Sequence, residues 1–176
     1  MSSNATDPST IPDVDRTRWR IDPTRSSIEF HARHFWGLAT VRGRFERYDG
    51  TLELYETPAI ELTVDAASLN TNNKKRDKHL RSADFFDVAN HPQVRFVSDS
   101  ATLNGEQLRI RGHLHAAGKS IPVDLDATFR PVGDELEVEA ETHADHQRLG
   151  MTWNPLGMLR TPSKLIVRGR LVRDGS

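Results

Sequence analysis

Along most of the chain, apolar and polar residues alternate one for one. Ile28, Phe30 and Ala32 alternate with Glu29, His31 and Arg33, and Val41, Gly43 and Phe45 with Arg42 and Arg44. The same period runs through Leu52 and Leu54, through Ile60, Leu62 and Val64, and through Val94 and Phe96. It returns in Leu108, Ile110, Gly112, Leu114 and Ala116, then in Ile121, Val123, Leu125, Ala127 and Phe129. Leu136, Val138 and Ala140 follow, and last Leu165, Val167, Gly169 and Leu171. Successive side chains of a strand point to opposite faces, so each stretch predicts a half-buried antiparallel strand with one apolar and one solvated face. Asp49-Gly50, Asn104-Gly105, Ala117-Gly118-Lys119 and Gly133-Asp134 supply residues that tolerate positive φ and predict turns between sequence neighbours. Residues 73–87 alone read as helical, with Ser82 placed to cap a second turn and Pro92 to stop the segment. Residues 1–18 follow neither period, carry Pro8 and Pro12, and predict a disordered tail ahead of a single domain over 19–174.

About eight strands, each with a charged outer face, leave nothing for helices to cover on that side. Their apolar faces must meet one another, and a meander with short turns favours a closed all-β antiparallel barrel over a sandwich. A barrel of this size is either filled by its own side chains or open to a ligand. Several inward positions are small: Ala32, Gly43, Ser98, Gly112, Ala116, Ala127, Ala140 and Gly169. They suit a guest, and they equally suit strand glycines that relieve curvature and alanines that fit a taper. The inward phase carries neither charge nor amide, which favours a dry bore and a hydrocarbon guest. Candidate lining residues are Phe30, Val41, Phe45, Leu62, Phe86, Phe96, Ile110, Leu114, Val123, Leu125, Phe129 and Val167. An irregular stretch broken by Asn154-Pro155 and Gly157 adds Trp153, Leu156 and Met158, with Met151 and Leu159, as a portal or as a plug. Leu80, Phe85 and Phe86 of the helical segment serve as lid or plug by the same logic.

Charge and composition then narrow the function classes. The 24 basic residues against 25 acidic ones argue against a nucleic-acid reader, whose affinity rests on neutralising phosphates. Zero cysteines exclude disulfides, thiolate metal sites and thiol nucleophiles. No apolar run approaches the length of a transmembrane helix. The first residues lack both a basic and an apolar region of a secretory leader, so the expected compartment is cytoplasmic.

Candidate chemistry is sparse. His113 and His115 share one strand face and could bind a metal, but that face is the charged one. His31 and His34 fall in opposite phases. His143 and His146 flank Asp145 in a loop, which reads as surface. Asp77, His79 and Asp84 form the one titratable cluster near a barrel mouth, the starting point for an acid–base reading.

The most specific stretch is Asp65-Ala66-Ala67-Ser68-Leu69-Asn70-Thr71, followed by Arg76-Asp77-Lys78-His79-Leu80-Arg81-Ser82-Ala83-Asp84-Phe85-Phe86-Asp87 and His91-Pro92. With Trp19-Arg20-Ile21-Asp22-Pro23, Val41-Arg42-Gly43-Arg44-Phe45 and Gly112-His113-Leu114, it resembles the YceI-like family over nearly the whole folded chain. The resemblance implies an extended lipocalin-like barrel holding a polyisoprenoid, such as a prenyl quinone or prenyl phosphate, and a homodimer. From the residues themselves the expectation is of no catalytic residue, no metal and no required cofactor. Two departures bear on head-group recognition: Arg25 stands where the family commonly has His, and Asp145-His146-Gln147-Arg148-Leu149-Gly150 replaces the usual Asp-Arg-x-x-Phe-Gly. Three functions follow as expectations: a non-catalytic carrier or store for a long apolar lipid, an enzyme modifying such a lipid, and a filled barrel acting as an interaction module.

Overall fold

The structure, a computed structural model, describes residues 17–54 and 57–174. Its elements are β1 (Arg18–Ile21), β2 (Ser27–His34), β3 (Ala39–Phe45), β4 (Tyr48–Glu53), β5 (Ala59–Asp65), β6 (Leu69–Asn70), helix α1 (Lys74–Arg81), β7 (Gln93–Asn104), β8 (Gln107–Ala116), β9 (Lys119–Val132), β10 (Glu135–Ala144) and β11 (Arg160–Arg173). Residues 1–16 of the expected tail lie outside the described residues, and Arg18 already opens β1. β1 and β2 act as one strand bent at Pro23–Arg25, and β3 and β4 as another, since β2 pairs β3 while β1 pairs β4. Taken so, eight antiparallel strands close into a ring, with β1 bonded to both β4 and β11. The inward phase is the apolar one in every strand, as one solvated and one buried face require.

Asp49-Gly50 is not a turn but lies inside β4, opposite Thr63 and Leu62 of β5. The glycine serves close packing instead, since a Cβ there would sit 2.9 Å from Leu62 Cδ1. The chain bends earlier, at Glu46-Arg47, where the buried Ser68 hydroxyl accepts from both backbone N–H groups at 3.1 and 3.0 Å. The other three expected turns are present, with Gly105, Gly118 and Gly133 all at positive φ.

Strand β7 is longer than its alternation suggests, because a bulge between Ser98 and Ser100 reverses the phase. Beyond it Ala101 and Leu103, not Ser100 and Thr102, join the core. The helix is shorter than expected. Asn73 caps α1 through its side-chain oxygen, which accepts from Arg76 N at 3.0 Å. Ser82 ends the helix rather than starting another turn: its hydroxyl donates to the His79 carbonyl at 2.6 Å. Residues 83–90 then form turns in which Phe85 N and Asp87 N both donate to the Ser82 carbonyl.

Two of the small inward positions are filled by the chain's own rings. A Cβ at Gly43 would lie 2.2 Å from Phe30 Cζ, and one at Gly112 would lie 2.6 Å from Phe96 Cζ. The hairpin turns 35–38 and 117–118, the 145–159 loop and α1 gather at one end, the mouth. At the other end Trp19, Leu52, Leu108, Leu136 and Leu171 are buried and close the base. Each such leucine contributes about 2 kcal/mol by leaving water.

Candidate functional site

Two cavities lie inside the ring. The wider, of about 450 Å³, occupies the mouth half, and a narrower one of about 170 Å³ lies toward the base. Phe45, Val94, Leu114 and Leu165 line both and form the waist between them. Phe30, Phe45 and Phe86 meet on the mouth side of this waist, with ring centroids 5.6 to 6.3 Å apart. β2 and β3 bring in Phe30 and Phe45, whereas Phe86 comes from the turns after α1, so the helical segment is tied to the barrel through an aromatic cluster.

Of the residues expected to line the bore, Phe30, Val41, Phe86 and Trp153 line the wide cavity. Leu62, Phe96, Ile110, Val123, Leu125, Phe129 and Val167 line the narrow one, and Phe45 and Leu114 face both. Leu156 and Met158 line neither. Leu156 is 82% exposed, thrown outward by a positive φ in the tight Pro155–Gly157 turn. Met158 uses its carbonyl to accept from Trp36 N at 3.2 Å. The rest of that loop does face the bore, through Met151, Trp153 and Leu159.

The wide cavity differs from the expected all-apolar bore in its polar lining. Arg76, His34, His79 and His146 line it with Thr40 and Ser163, and no acidic residue among the described residues does. Arg76, His79 and Leu80 share one face of α1 through their three- and four-residue spacing, which turns two basic groups and a leucine inward together. The Arg76 guanidinium is fixed by Nε donating to Thr71 Oγ1 and Nη2 to the Thr71 carbonyl, both at 2.8 Å. It forms no ion pair among the described residues.

His146 does not lie on the surface as the loop reading had it. It is half-buried, its Nδ1 lies 2.9 Å from Ser163 Oγ, and burial lowers its pKa against a weaker opposing effect of Asp145. It enters the bore because Asp145 to Gly150 fold into a tight turn after β10, which also directs Leu149 inward. Pattern reading passed over His146 and Leu149 because the turn breaks the alternation. Ala144 and Leu165, also in the lining, do continue the inward phases of β10 and β11, so the signal for them was present.

The acid–base cluster assembles only in part: His79 and Asp84 pair at the cavity, and Asp77 does not join them. Asp77 is buried and its Oδ1 accepts from Thr71 N at 2.9 Å and Thr71 Oγ1 at 2.6 Å, bracing the chain between β6 and α1. His79 instead donates from Nε2 to Asp84 Oδ2 at 2.8 Å and stacks edge-on against Phe85 and Trp153. His113 and His115 lie on the outer wall with ring centroids 6.4 Å apart, and His113 pairs with Asp99. Arg25 sits at the base, its guanidinium forked onto Glu135 at 2.9 and 2.7 Å, far from the polar lining of the mouth.

Comparison with known proteins places this architecture. A family model described as a YceI-like domain matches residues 19–170. Protein YceI of Escherichia coli O157:H7 is 38% identical over 112 residues, a match covering 61% of this chain and 58% of that protein. The chain thus spans less than two thirds of the length of the curated relatives it matches. Among solved structures, BcnA of Burkholderia cenocepacia superposes with a TM-score of 0.79 at 16% identity, covering 85% of this chain and 98% of that one. A polyisoprenoid binding domain from Saccharophagus degradans gives a TM-score of 0.74 at 15% identity, covering 89% and 98%. These two share the barrel fold. With a family match that runs from β1 into β11, the chain belongs to the YceI-like domain family.

Proposed function

We propose that this protein binds a long apolar lipid of the isoprenoid class in its bore and carries or stores it without transforming it. The observation that carries this reading is the wide cavity, whose volume of about 450 Å³ falls within the range of about 300–1,000 Å³ usual for ligand pockets. At the waist it meets a second space, lined by apolar side chains except at Thr51, Glu61, Glu141 and Thr142, that extends the path for a chain. Family membership and the polyisoprenoid-binding neighbour support the choice of an isoprenoid. Burial of hydrocarbon contributes about 0.8 kcal/mol per methylene-sized group, so a few isoprene units reach the roughly 8 kcal/mol of micromolar binding even after ordering losses.

The polar lining orients the guest. Arg76, His34 and His146 gather donors at the mouth and leave the tail to the narrow cavity. A prenyl phosphate and a prenyl quinone both offer oxygen acceptors to such donors. Binding rather than turnover is supported by the engagement of Asp77 with Thr71, which leaves one of the three residues of the acid–base reading outside the bore.

Native mass spectrometry of protein purified without detergent, followed by organic extraction, tests the reading. A bound lipid of defined mass is expected, and it is expected to disappear in Leu125→Arg, which places a charge in the narrow cavity, and to decline in Ala32→Trp, which fills the wide one. A folded Leu125→Arg protein with unchanged lipid content overturns it. Chemical change of the bound lipid over time, abolished by His79→Ala, favours an enzyme instead.

A further inference from the structure

We propose that the rim of the wide cavity docks on the surface of an anionic lipid bilayer, with the 35–38 turn and the Trp153–Met158 stretch entering the headgroup region. The inference rests on the lipid-carrier reading and adds where the lipid is exchanged. Five large apolar side chains at this end are exposed: Phe35 at 49%, Trp36 at 55%, Leu38 at 88%, Trp153 at 41% and Leu156 at 82%. Val132, at the base, is the one other large apolar residue so exposed among the described residues. Apolar exposure is therefore gathered at the mouth, and such gathering marks an interaction surface.

The two segments form one surface, joined by the bond from Trp36 N to the Met158 carbonyl. Phe35 and Trp153 belong both to this exposed surface and to the cavity lining, so apolar surface runs without a break from solvent into the bore. The backbone holds these residues outward at a cost. Phe35, Trp36 and Leu156 have φ of 51°, 54° and 57°, the left-handed region that bulky residues rarely adopt. Each turn is completed by a glycine, Gly37 or Gly157, yet the positions before it carry aromatic or aliphatic bulk rather than the Asn or Gly that the geometry favours.

Charge selects the partner. Arg33, Arg42, Lys74, Lys75, Lys78 and Arg148 are exposed around the mouth and form no ion pair among the described residues. Cations on the barrel wall are paired instead, as in Arg95 with Glu61 at 2.7 Å and Arg168 with Glu139 at 3.2 Å. Three acids at the mouth are hydrogen-bonded nearby, Asp84 to His79, Asp87 to Asn90 and Asp145 to Gln147 N, and the six cations outnumber them. An excess of cations around exposed Trp, Phe and Leu matches a bilayer bearing anionic lipids, where aromatic rings settle at the headgroup level and each nearby Lys or Arg adds attraction.

Co-flotation of the full chain with phosphatidylcholine vesicles, with and without phosphatidylglycerol, tests the proposal. Binding is expected with phosphatidylglycerol, weakened by salt and accompanied by a blue shift of tryptophan fluorescence. Trp36→Ser/Leu38→Ser, whose thermal midpoint should match the parent because both side chains are exposed, is expected to bind at least tenfold less. Lys74→Glu/Lys75→Glu/Lys78→Glu is expected to abolish the preference for phosphatidylglycerol. Absence of vesicle binding by the parent, or undiminished binding by both variants, overturns the proposal. So does a solution dimer that Trp36→Ser/Leu38→Ser dissociates without vesicles, since the patch is then a contact between copies. Leu125→Arg separates this from the carrier reading: it is expected to float with vesicles as the parent does while its bore is empty. A parent that floats but never contains lipid overturns the carrier reading alone.

Discussion

At the base of the barrel Trp19, Leu52, Leu108 and Leu136 are almost fully buried, and cations on the outer strands sit against acids, as in Arg20 with Asp49 and Arg25 with Glu135. At the mouth the same chain leaves a cavity of about 450 Å³ unfilled, lines it with Arg76 and three histidines, and exposes Trp36 and Leu38. One sheet runs through both ends, so the difference lies in what the inward phase and the connections carry. The base has large inward residues and two-residue turns after β7 and β9. The mouth has alanines on its strands and, beside the short 117–118 turn, longer connections whose side chains reach over the opening. Packing is thus tightest at the base, and the open end keeps the poorly filled, polar and strained features.

The largest effect is expected at the base. Leu108 is 1% exposed, and Leu108→Ala should lower unfolding stability by about 2–5 kcal/mol in urea titrations. The lipid content of the folded fraction should stay unchanged, and Leu38→Ser at the mouth should cost under about 0.5 kcal/mol. Comparable losses at both sites would erase the contrast. Next in size is Asp77→Asn, where the carboxylate accepts twice from Thr71 in a buried setting. A loss of about 1–3 kcal/mol is expected, coupled in a double-mutant cycle to Thr71→Val. Additive losses would show that the loop before α1 is held by other groups.

The base was far more legible in the sequence than the mouth, for a physical reason. Strands such as Gln107–Ala116 obey a strict period of two, so Leu108, Ile110 and Leu114 announce their direction. Where the backbone leaves that period the reading failed: the bulge at Ser98–Ser100 hid Ala101 and Leu103, and the turn after Ala144 hid His146 and Leu149. Gly50 misled because a glycine after Asp signals a turn, whereas here it relieves contact with Leu62. Composition could not separate a hollow from a filled bore, because Gly43 and Gly112 are filled by Phe30 and Phe96 while Ala32 and Ala116 still face open space. That distinction depends on which ring leans over which gap, a three-dimensional fact that alternation does not encode.

A smaller effect should separate the ends by pH. Burial lowers the pKa of His146 below the ordinary imidazole value, so the unfolded chain takes up a proton that the folded mouth resists. Stability should therefore be constant above about pH 7 and decline as pH falls through the unfolded value near 6.5. His146→Gln should flatten this decline in thermal melts, whereas Leu108→Ala should leave its slope intact. A slope unchanged by His146→Gln would assign the decline to other groups.

The smallest effect is expected at the base, in a different pH window. Hydrogen bonds from the Thr24 hydroxyl, from Arg25 and from Thr24 N pull the Asp22 carboxyl down to about 2. A depressed carboxyl stabilises the fold above its unfolded value of about 3.9 and loses that contribution as pH falls toward its folded value. The thermal midpoint should thus drop slightly between pH 4 and pH 2, and Arg25→Ala should shift part of the drop upward by releasing both Asp22 and Glu135, whose carboxyl Arg25 also holds low. Exposure and salt screening keep the change small. The contrast between the ends turns on the accompanying lipid measurement. Arg25 sits at the base and lines neither cavity, so Arg25→Ala should retain the full complement of bound lipid; an emptied bore would mean that the base holds the ligand as well as the fold.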